Sequence, residues 1–398
     1  MFDTLYIGTS GLLGNAKGLK VVSNNLSNVN TLGFKGSQLQ FSALFEQGGG
    51  VTDGQSQQQE TTGQGVTTLG SSINFRAGND QTTGSPLDQA ISGNGLFVVR
   101  RDDGAMVYTR AGNFQFDGKE NLIDGSGRHV QALDKDGKLA DVTLDPLGHS
   151  AAKATSTVSF TGNVTSTVAT PPVDVTLNGV VIIDPAGGQH TLNLSFKNMG
   201  AGSYTVTVTD AAAAATAAPL GTGTIKYAAG VPVTGSSTVS IQYATTGVTA
   251  FPITLDFGKS GNSSSASDLK FDQQDGYTSG VRVDQTIDAD GTVSVSYSNG
   301  QKVKGQRLAL AQFASENDLE QSSGGAFTRR ANGEVHYGYA GSGNYGSLVS
   351  GHLEGANVDL AEEFSNLIVM QRGYQAASHV ISTANDMIQE LFDMKGHR

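Results

Sequence analysis

Leu5, Leu12, Leu19 and Leu26 recur every seven residues at the start of the chain, and Val22 and Val29 follow the last two by three positions. A seven-residue apolar period marks a helix that packs along a seam against another helix. The period returns at the other end. Leu360, Leu367, Tyr374, Ile381 and Ile388 form one row, and Phe364 and Phe392 lie on a neighbouring row that reads Gln371, Ser378 and Asn385 between them. Asp359, three positions before Glu362, is an Asp variant of the capping box and sets the start of this second helix. From there to the C-terminus is roughly 55 Å at ~1.5 Å per residue. That is too long for a strut inside a small domain.

The first helix is weak by itself. Gly8, Gly11, Gly14 and Gly18 each cost roughly 1 kcal/mol relative to Ala in a helix interior, so it should form only against a partner. The cluster Asn24-Asn-Leu-Ser-Asn28 competes for backbone hydrogen bonds and places the helix exit near 28. Amphipathic core helices are the commoner explanation of heptads this short. Here the seams sit at the extreme termini, and the sequence between them reads as β, which leaves no helical core to join. The expectation is a self-assembling structural subunit with helices from both termini, coiled-coil-like, and predominantly β domains nested between them.

The β reading rests on 53 Gly with abundant Thr, Ser, Ala and Val, since Gly supplies the positive φ angles of tight turns. Residues 46–72, rich in Gly, Gln, Thr and Ser and including Gly48, Gly49 and Gly50, read as a linker, so 31–72 is expected to be an extended connector between the helical part (1–30 with 357–398) and a β domain. That β domain is expected over 73–145 with 281–356. Asp103-Gly104 and Asp117-Gly118 mark hairpin turns within it, and Val293, Val295 and Tyr297 alternate into Asn299-Gly300. Residues 146–280 are poor in charge, carry an Ala-rich stretch at 211–218 and alternate at Tyr204-Thr-Val-Thr-Val-Thr209. They read as a second β domain inserted into the first.

Little chemistry is written into the chain. It has no Cys, which excludes disulfides, thiolate metal sites and Cys nucleophiles. A net charge of −11 with only 15% charged residues argues against nucleic-acid binding and against docking on an anionic membrane. No apolar run approaches the ~20 residues of a membrane span, and the N-terminus lacks the basic segment and apolar core of a cleaved signal peptide. The chain is therefore expected to be soluble and, if secreted, to keep its first residues. Gly341-Ser-Gly-Asn-Tyr-Gly346 matches G-x-G-x-x-G without a helix opening inside it, and reads as a turn. Asp288-Ala-Asp-Gly291 lacks the closing ligands of a calcium loop and reads as a β-turn. The seven His occur singly, with neither H-E-x-x-H nor G-x-S-x-G nearby. No enzyme activity, metal or cofactor is expected.

Read onward, Val22-Ser-Asn-Asn-Leu-Ser-Asn-Val-Asn-Thr-Leu-Gly-Phe-Lys35 resembles the N-terminal signature of the bacterial flagellar rod and hook protein family. Leu353-Glu-Gly-Ala-Asn-Val-Asp-Leu-Ala-Glu-Glu-Phe364, continued by Gln371-Arg-Gly-Tyr374, resembles its C-terminal signature. Further matches are Leu87-Asp-Gln-Ala-Ile-Ser-Gly-Asn-Gly-Leu-Phe97, Tyr108-Thr-Arg-Ala-Gly-Asn-Phe114 and Tyr297-Ser-Asn-Gly300. The resemblance covers about the first 130 and last 120 residues. The sequence departs from the pattern at Gly355-Ala356, where a polar pair is more usual, and at Leu96, where an aromatic is common.

The resemblance implies signature roles for Asn24, Asn25, Asn28, Thr31, Gly33, Phe34, Lys35, Asn357, Val358, Asp359, Leu360, Gln371 and Arg372. Rod members of the family are shorter and lack an inserted domain, so the length and the insert at 146–280 imply a hook subunit. The alternatives are a distal rod subunit and, from another class, a surface β adhesin. A hook subunit implies polymerisation with copies of itself into a curved tube that transmits torque, and export by the flagellar type III apparatus to the cell exterior. It further implies contact with distal rod, hook-cap and hook–filament junction proteins. The heptad residues Leu5, Leu12, Leu19, Val22, Leu26, Val29, Leu360, Phe364, Leu367, Tyr374, Ile381 and Ile388 would form the helix-pairing and polymer interface.

Overall fold

A computed structural model describes residues 2–46, 62–168, 173–214 and 217–396. Gly48, Gly49 and Gly50 of the expected linker lie outside the described residues. The chain is mostly β, with one long helix at each end, and divides into two units. The first is Met1–Asp145, Gln285–Ser294 and Lys304–Arg398; the second is Pro146–Asp284 and Val295–Val303.

In the first unit the N-terminal helix α1 runs over Phe2–Ser27. It ends where Asn24 and Asn25 begin to divert hydrogen bonds: the Asn28 amide donates back to the Asn24 carbonyl at 3.2 Å, and the Asn28 side chain to the same carbonyl at 2.9 Å. The C-terminal helix α2 covers Leu360–Gly396. Asp359 caps it, its Oδ1 accepting from the amides of Ala361 at 2.8 Å and Glu362 at 3.2 Å. That satisfies orphan donors of the first turn.

Over its described residues, 31–46 and 62–72, the expected connector is corrected by the structure. Ser37–Glu46 (β1) and Thr62–Ile73 (β2) form a long antiparallel ladder, with irregularities at Gln40/Phe41 and Ala43/Phe45. Composition misleads here because polar residues are tolerated on a two-stranded ribbon that packs one face on a helix. Val66 and Phe41 lie against α1 at Gly14, where a Cβ would meet the Phe41 ring at 3.0 Å.

Most of the rest of the unit is a ten-stranded sheet with a dense apolar core, accompanied by short two-stranded sheets. Leu96–Arg100 pairs with Met106–Thr109 across the turn at Asp103-Gly104, Val98 opposite Tyr108. Late segments then join early ones: Ala309–Phe313 pairs with Leu96–Arg100, Ser347–Ser350 with Gln89–Ser92, and His352–Glu354 with Asp80–Thr82. Phe97, Val98, Val99, Tyr108, Leu310 and Phe327 are buried at its centre. The turn at Asp117-Gly118 forms, but its left-handed residue is Glu120, because Asp117 Oδ1 accepts from the amides of Lys119 and Asn121 and moves the reversal two residues along. Asp288–Gly291 and Gly341–Gly346 are both turns closed by their own backbone hydrogen bonds.

The second unit buries one core between two sheets. One is antiparallel and built from Val175–Ile183, Gln189–Gly200, Ser203–Asp210, Gly221–Ala228 and Val231–Pro232; the other contains Thr238–Tyr243, Phe251–Ser263, Thr157–Thr165 and Lys270–Gln274. The alternation at 204–209 puts Tyr204, Val206 and Val208 inside. Phe160 stacks on Phe257 at 4.7 Å, and Phe196 meets Phe257 edge-on at 5.5 Å. Where the sequence reading returns to the first β domain at 281, the structure keeps residues to Asp284 and Val295–Val303 in this unit. Buried Tyr297 explains the second segment, since its hydroxyl donates to the Leu147 carbonyl at 2.8 Å.

Candidate assembly interface

The two terminal helices pack on each other in antiparallel fashion. Along α1, Gly8 faces Ile381, Gly11 faces Ala377, Asn15 faces Gly373, Gly18 faces Met370 and Asn25 faces Glu363. The partner that the glycine-rich first helix requires is thus the far end of the same chain. Two of the glycines leave no room for a side chain against α2: a Cβ at Gly8 would stand 2.8 Å from Ile381 Cγ1, and one at Gly18 2.6 Å from Met370 Sδ. What propensity counts as a cost is offset by dispersion contacts that only a side-chain-free position permits.

On α1 the seam lies one step round the helix from the leucine row, whereas on α2 it takes in Ile381 of the marked row. On α1 it follows Gly8, Asn15 and Val22 with Gly11, Gly18 and Asn25, two rows that also repeat every seven residues. Val22 is buried in it; Leu5, Leu12, Leu19 and Leu26 flank it and are half-buried, as is Val29 in the turn after α1. On α2, Leu367, Ile381 and Ile388 are half-buried and Ala384 is fully buried. Leu360, Phe364 and Tyr374 lie outside the intramolecular seam, Phe364 being 51% exposed. Gln371 and Arg372 are exposed too. Small residues in the heptad rows of α1, and Gly373 inside Gln371-Arg-Gly-Tyr374, are the signal that marks this seam in the sequence.

Where the helices meet the β part, the signature residues form a buried polar knot. Asn25 Nδ2 donates to the Ser37 carbonyl and to Glu363 Oε1, both at 2.8 Å, while Asn25 Oδ1 accepts from the Ser37 amide at 3.0 Å. Asn357 Oδ1 accepts from the Gly36 amide at 2.8 Å, and its Nδ2 donates to the carbonyls of Asn74 and Arg76. The Gly33 amide donates to the Glu354 carbonyl at 2.7 Å. Gly33 has φ +65°, and a Cβ there would lie 2.3 Å from the Ala111 amide nitrogen, so position 33 admits glycine alone. Phe34 is buried beside it, Thr31 donates to Asn28 Oδ1 at 3.1 Å, and Val358 lies over Gly36.

The centre of the knot is ionic. Lys35, with no exposed side-chain surface, places Nζ 2.5 Å from Glu354 Oε1 and 2.6 Å from the Arg76 carbonyl. Arg110 Nη1 reaches Glu354 Oε2 at 3.2 Å and also donates to the Ile91 carbonyl. Three motifs from distant parts of the chain therefore share one carboxylate. Sequence reasoning does not pick out Glu354, Arg110 or Glu363, since nothing local couples positions 35, 110 and 354. Burial holds the Lys35 ammonium below the ordinary lysine range, opposed by the Glu354 hydrogen bond, and lowers Arg110 in the same way. Burial raises the Glu363 carboxyl, opposed by the bond from Asn25.

This arrangement leaves much of the helix pair apolar and uncovered, with Tyr6, Leu13, Phe364, Ile368, Val369 and Phe392 exposed. Among the described residues no helix is long and apolar enough to cross a membrane, and no group of three or more His, Cys, Asp or Glu could hold a metal ion.

Comparison with known proteins finds family matches over three segments of the chain. Residues 5–35 match the family of flagella basal body rod proteins, 90–166 the flagellar hook protein FlgE/F/G D1 domain, and 349–394 the flagellar basal body rod FlgEFG protein C-terminal family. The flagellar hook protein FlgE of Salmonella typhimurium (strain LT2) is 32% identical, covering 97% of this chain and 98% of its own. FlgE of Rhizobium meliloti is 31% identical over 99% of both chains, and FlgE of Escherichia coli (strain K12) 30% identical over 97% and 98%. The crystal structure of Helicobacter pylori flagellar hook protein FlgE2 superposes with a TM-score of 0.48 at 13% identity, covering 67% of this chain and 98% of that one. With its terminal signatures joined in one buried knot and its full length matched at this identity, the chain belongs to the flagellar hook protein FlgE family.

Proposed function

We propose that the chain is the structural subunit of the flagellar hook and polymerises into a curved tube that carries torque while it bends. The observation that carries this reading is the paired terminal helices, which satisfy each other along one seam and leave apolar side chains such as Phe364 and Ile368 exposed. Exposed apolar surface on a helix pair calls for more protein. Copies joined through unlike patches form an open helical array when the rotation between them does not close a ring. In this reading the α1–α2 pair acts as a coiled-coil-like block that gives the tube continuity, and the charge-poor second unit makes the weaker contacts that yield as the tube bends. Deleting 146–280 should then alter curvature or bending stiffness; a hook unchanged in both would refute that assignment.

The reading assigns no catalysis and no cofactor, and places the protein outside the cell after type III export without loss of its N-terminus. Distal rod, hook-cap and junction proteins would be its neighbours. The glycine-rich α1 suits export as an unfolded chain, since a helix that depends on its partner unravels easily. In dilute monomer the amides of both terminal helices should exchange much faster than those of the β core; equal protection would count against this.

Electron microscopy of the purified protein in polymerising salt tests the whole. Tubes with a central channel are the expected result. Persistent monomers, with an assembly cap supplied, would refute it.

A further inference from the structure

The two helices differ in length, and their register fixes where the excess lies. Gly18 opposite Met370, Gly11 opposite Ala377 and Gly8 opposite Ile381 advance together, so the start of α1 at Phe2 comes level with about residue 387. α2 continues to Gly396 and overhangs its partner by roughly 13 Å at ~1.5 Å per residue. The overhang exposes Leu391, Phe392 (70%) and Met394 (76%) beside the carboxylates of Glu390 and Asp393.

A complementary surface exists on the other flank of α1. Between α1 and the β1–β2 ladder lies an open groove of about 240 Å³ lined by Tyr6, Leu13, Gly14, Lys17, Leu44 and Val66. Tyr6 and Leu13 are more than half exposed at its mouth. The Lys17 ammonium stands on its wall, held by a hydrogen bond to Thr68 Oγ1 at 3.0 Å.

We infer that the overhanging tip of α2 from one copy docks in the α1–ladder groove of another, Phe392 entering beside Tyr6 and Leu13 with Glu390 and Asp393 toward Lys17. The inference rests on the hook-subunit reading and names the contact through which two subunits join. Three observations select a second copy as the occupant. The tip is apolar with two carboxylates, Glu390 and Asp393, ahead of Lys395 in the sequence, whereas the groove is apolar with a lysine. The tip does not fill the groove of its own chain, because the register carries residues beyond about 387 past the start of α1 while the groove lies over residues 6–17. Tip and groove are unlike patches, so each bound copy presents a free tip and a free groove, the condition for an open polymer.

The chain has no cysteine, which makes the test direct. Leu13→Cys and Phe392→Cys are prepared as separate single variants, checked for native helicity by circular dichroism, mixed in polymerising salt and oxidised. The expected result is a disulfide-linked dimer in the tubes at a yield at least about tenfold above that of the same mixture kept dilute, since assembly raises the local thiol concentration. Tyr6→Cys with Met394→Cys provides a second pair if either variant fails to fold. Tubes that form without either cross-link overturn the docking while leaving the hook-subunit reading intact. A cross-link formed within one chain of the Leu13→Cys/Phe392→Cys double variant in dilute solution overturns it as well. Failure of the unmodified protein to form tubes overturns the hook-subunit reading and the docking with it.

Discussion

Gly18 in α1 lies against Met370 in α2 so closely that a Cβ at position 18 would stand 2.6 Å from the methionine sulfur. Gly11, one heptad earlier, leaves ordinary space, a Cβ there falling 3.6 Å from that of Ala377. The two glycines therefore respond oppositely to substitution. Gly11→Ala should raise the stability of the helix pair by about 1 kcal/mol through propensity and the unfolded chain. Gly18→Leu should lower it by about 1–3 kcal/mol by forcing the helices apart. Thermal unfolding followed at a helical wavelength reads both, and equal effects would refute the close-packed seam.

Glu354 holds two buried cations, and the loss of either side of this cluster is unequal. Glu354→Ala leaves Lys35 and Arg110 desolvated beside each other without their carboxylate, and should destabilise the first unit by about 3–5 kcal/mol. Lys35→Met keeps the Arg110–Glu354 pair and should cost less. Denaturant titration of the two variants decides, and a larger loss for Lys35→Met would contradict the shared-carboxylate geometry.

Glu363 should make the helix junction sensitive to pH. Its carboxyl is raised above the ordinary value of 4.5 by burial, so the folded state holds the proton more tightly than the unfolded one. Stability contributed by the protonated form is full below 4.5 and is lost as pH rises through the raised value. Glu363→Gln, which keeps an acceptor for Asn25, should remove this loss and make the helical melting temperature flatter with pH. An unchanged pH profile would refute the assignment.

The second unit carries an opposite sensitivity. A hydrogen bond from His190 to Asp184 Oδ2 at 2.8 Å holds that carboxyl below its ordinary value of 3.8. Asp184 therefore contributes stability above 3.8 that is lost as pH falls through the lowered value. His190→Ala should shift the acid unfolding of this unit to higher pH, visible in the near-ultraviolet signal of Tyr243, whose ring lies 5.0 Å from that of His190. A midpoint that stays in place would sink the prediction.

Substitution at Gly33 separates backbone from side-chain effects. With φ +65° and the Ala111 amide in the space a Cβ would take, Gly33→Ala should cost several kcal/mol, beyond the ~1 kcal/mol of left-handed strain alone. A loss near 1 kcal/mol would mean that the knot yields at this point.

The sequence by itself determined that the chain ends are helices, where α2 starts and α1 stops, and which β segments alternate inward, because these follow from neighbours a few residues apart. Asp359 caps its helix by contacts two and three positions on, and Tyr204, Val206 and Val208 share a face by the pleat. Only the tertiary structure decided which side of α1 meets α2. Leucine and glycine rows repeat with the same period, and the choice falls to whichever face lets two backbones approach. Only the tertiary structure decided, too, that Lys35 and Glu354, 319 residues apart, share one buried bond, and that polar β1 and β2 form a ladder rather than a connector. A lysine has no intrinsic reason to be buried, and it becomes so when its carboxylate arrives from the other end of the chain.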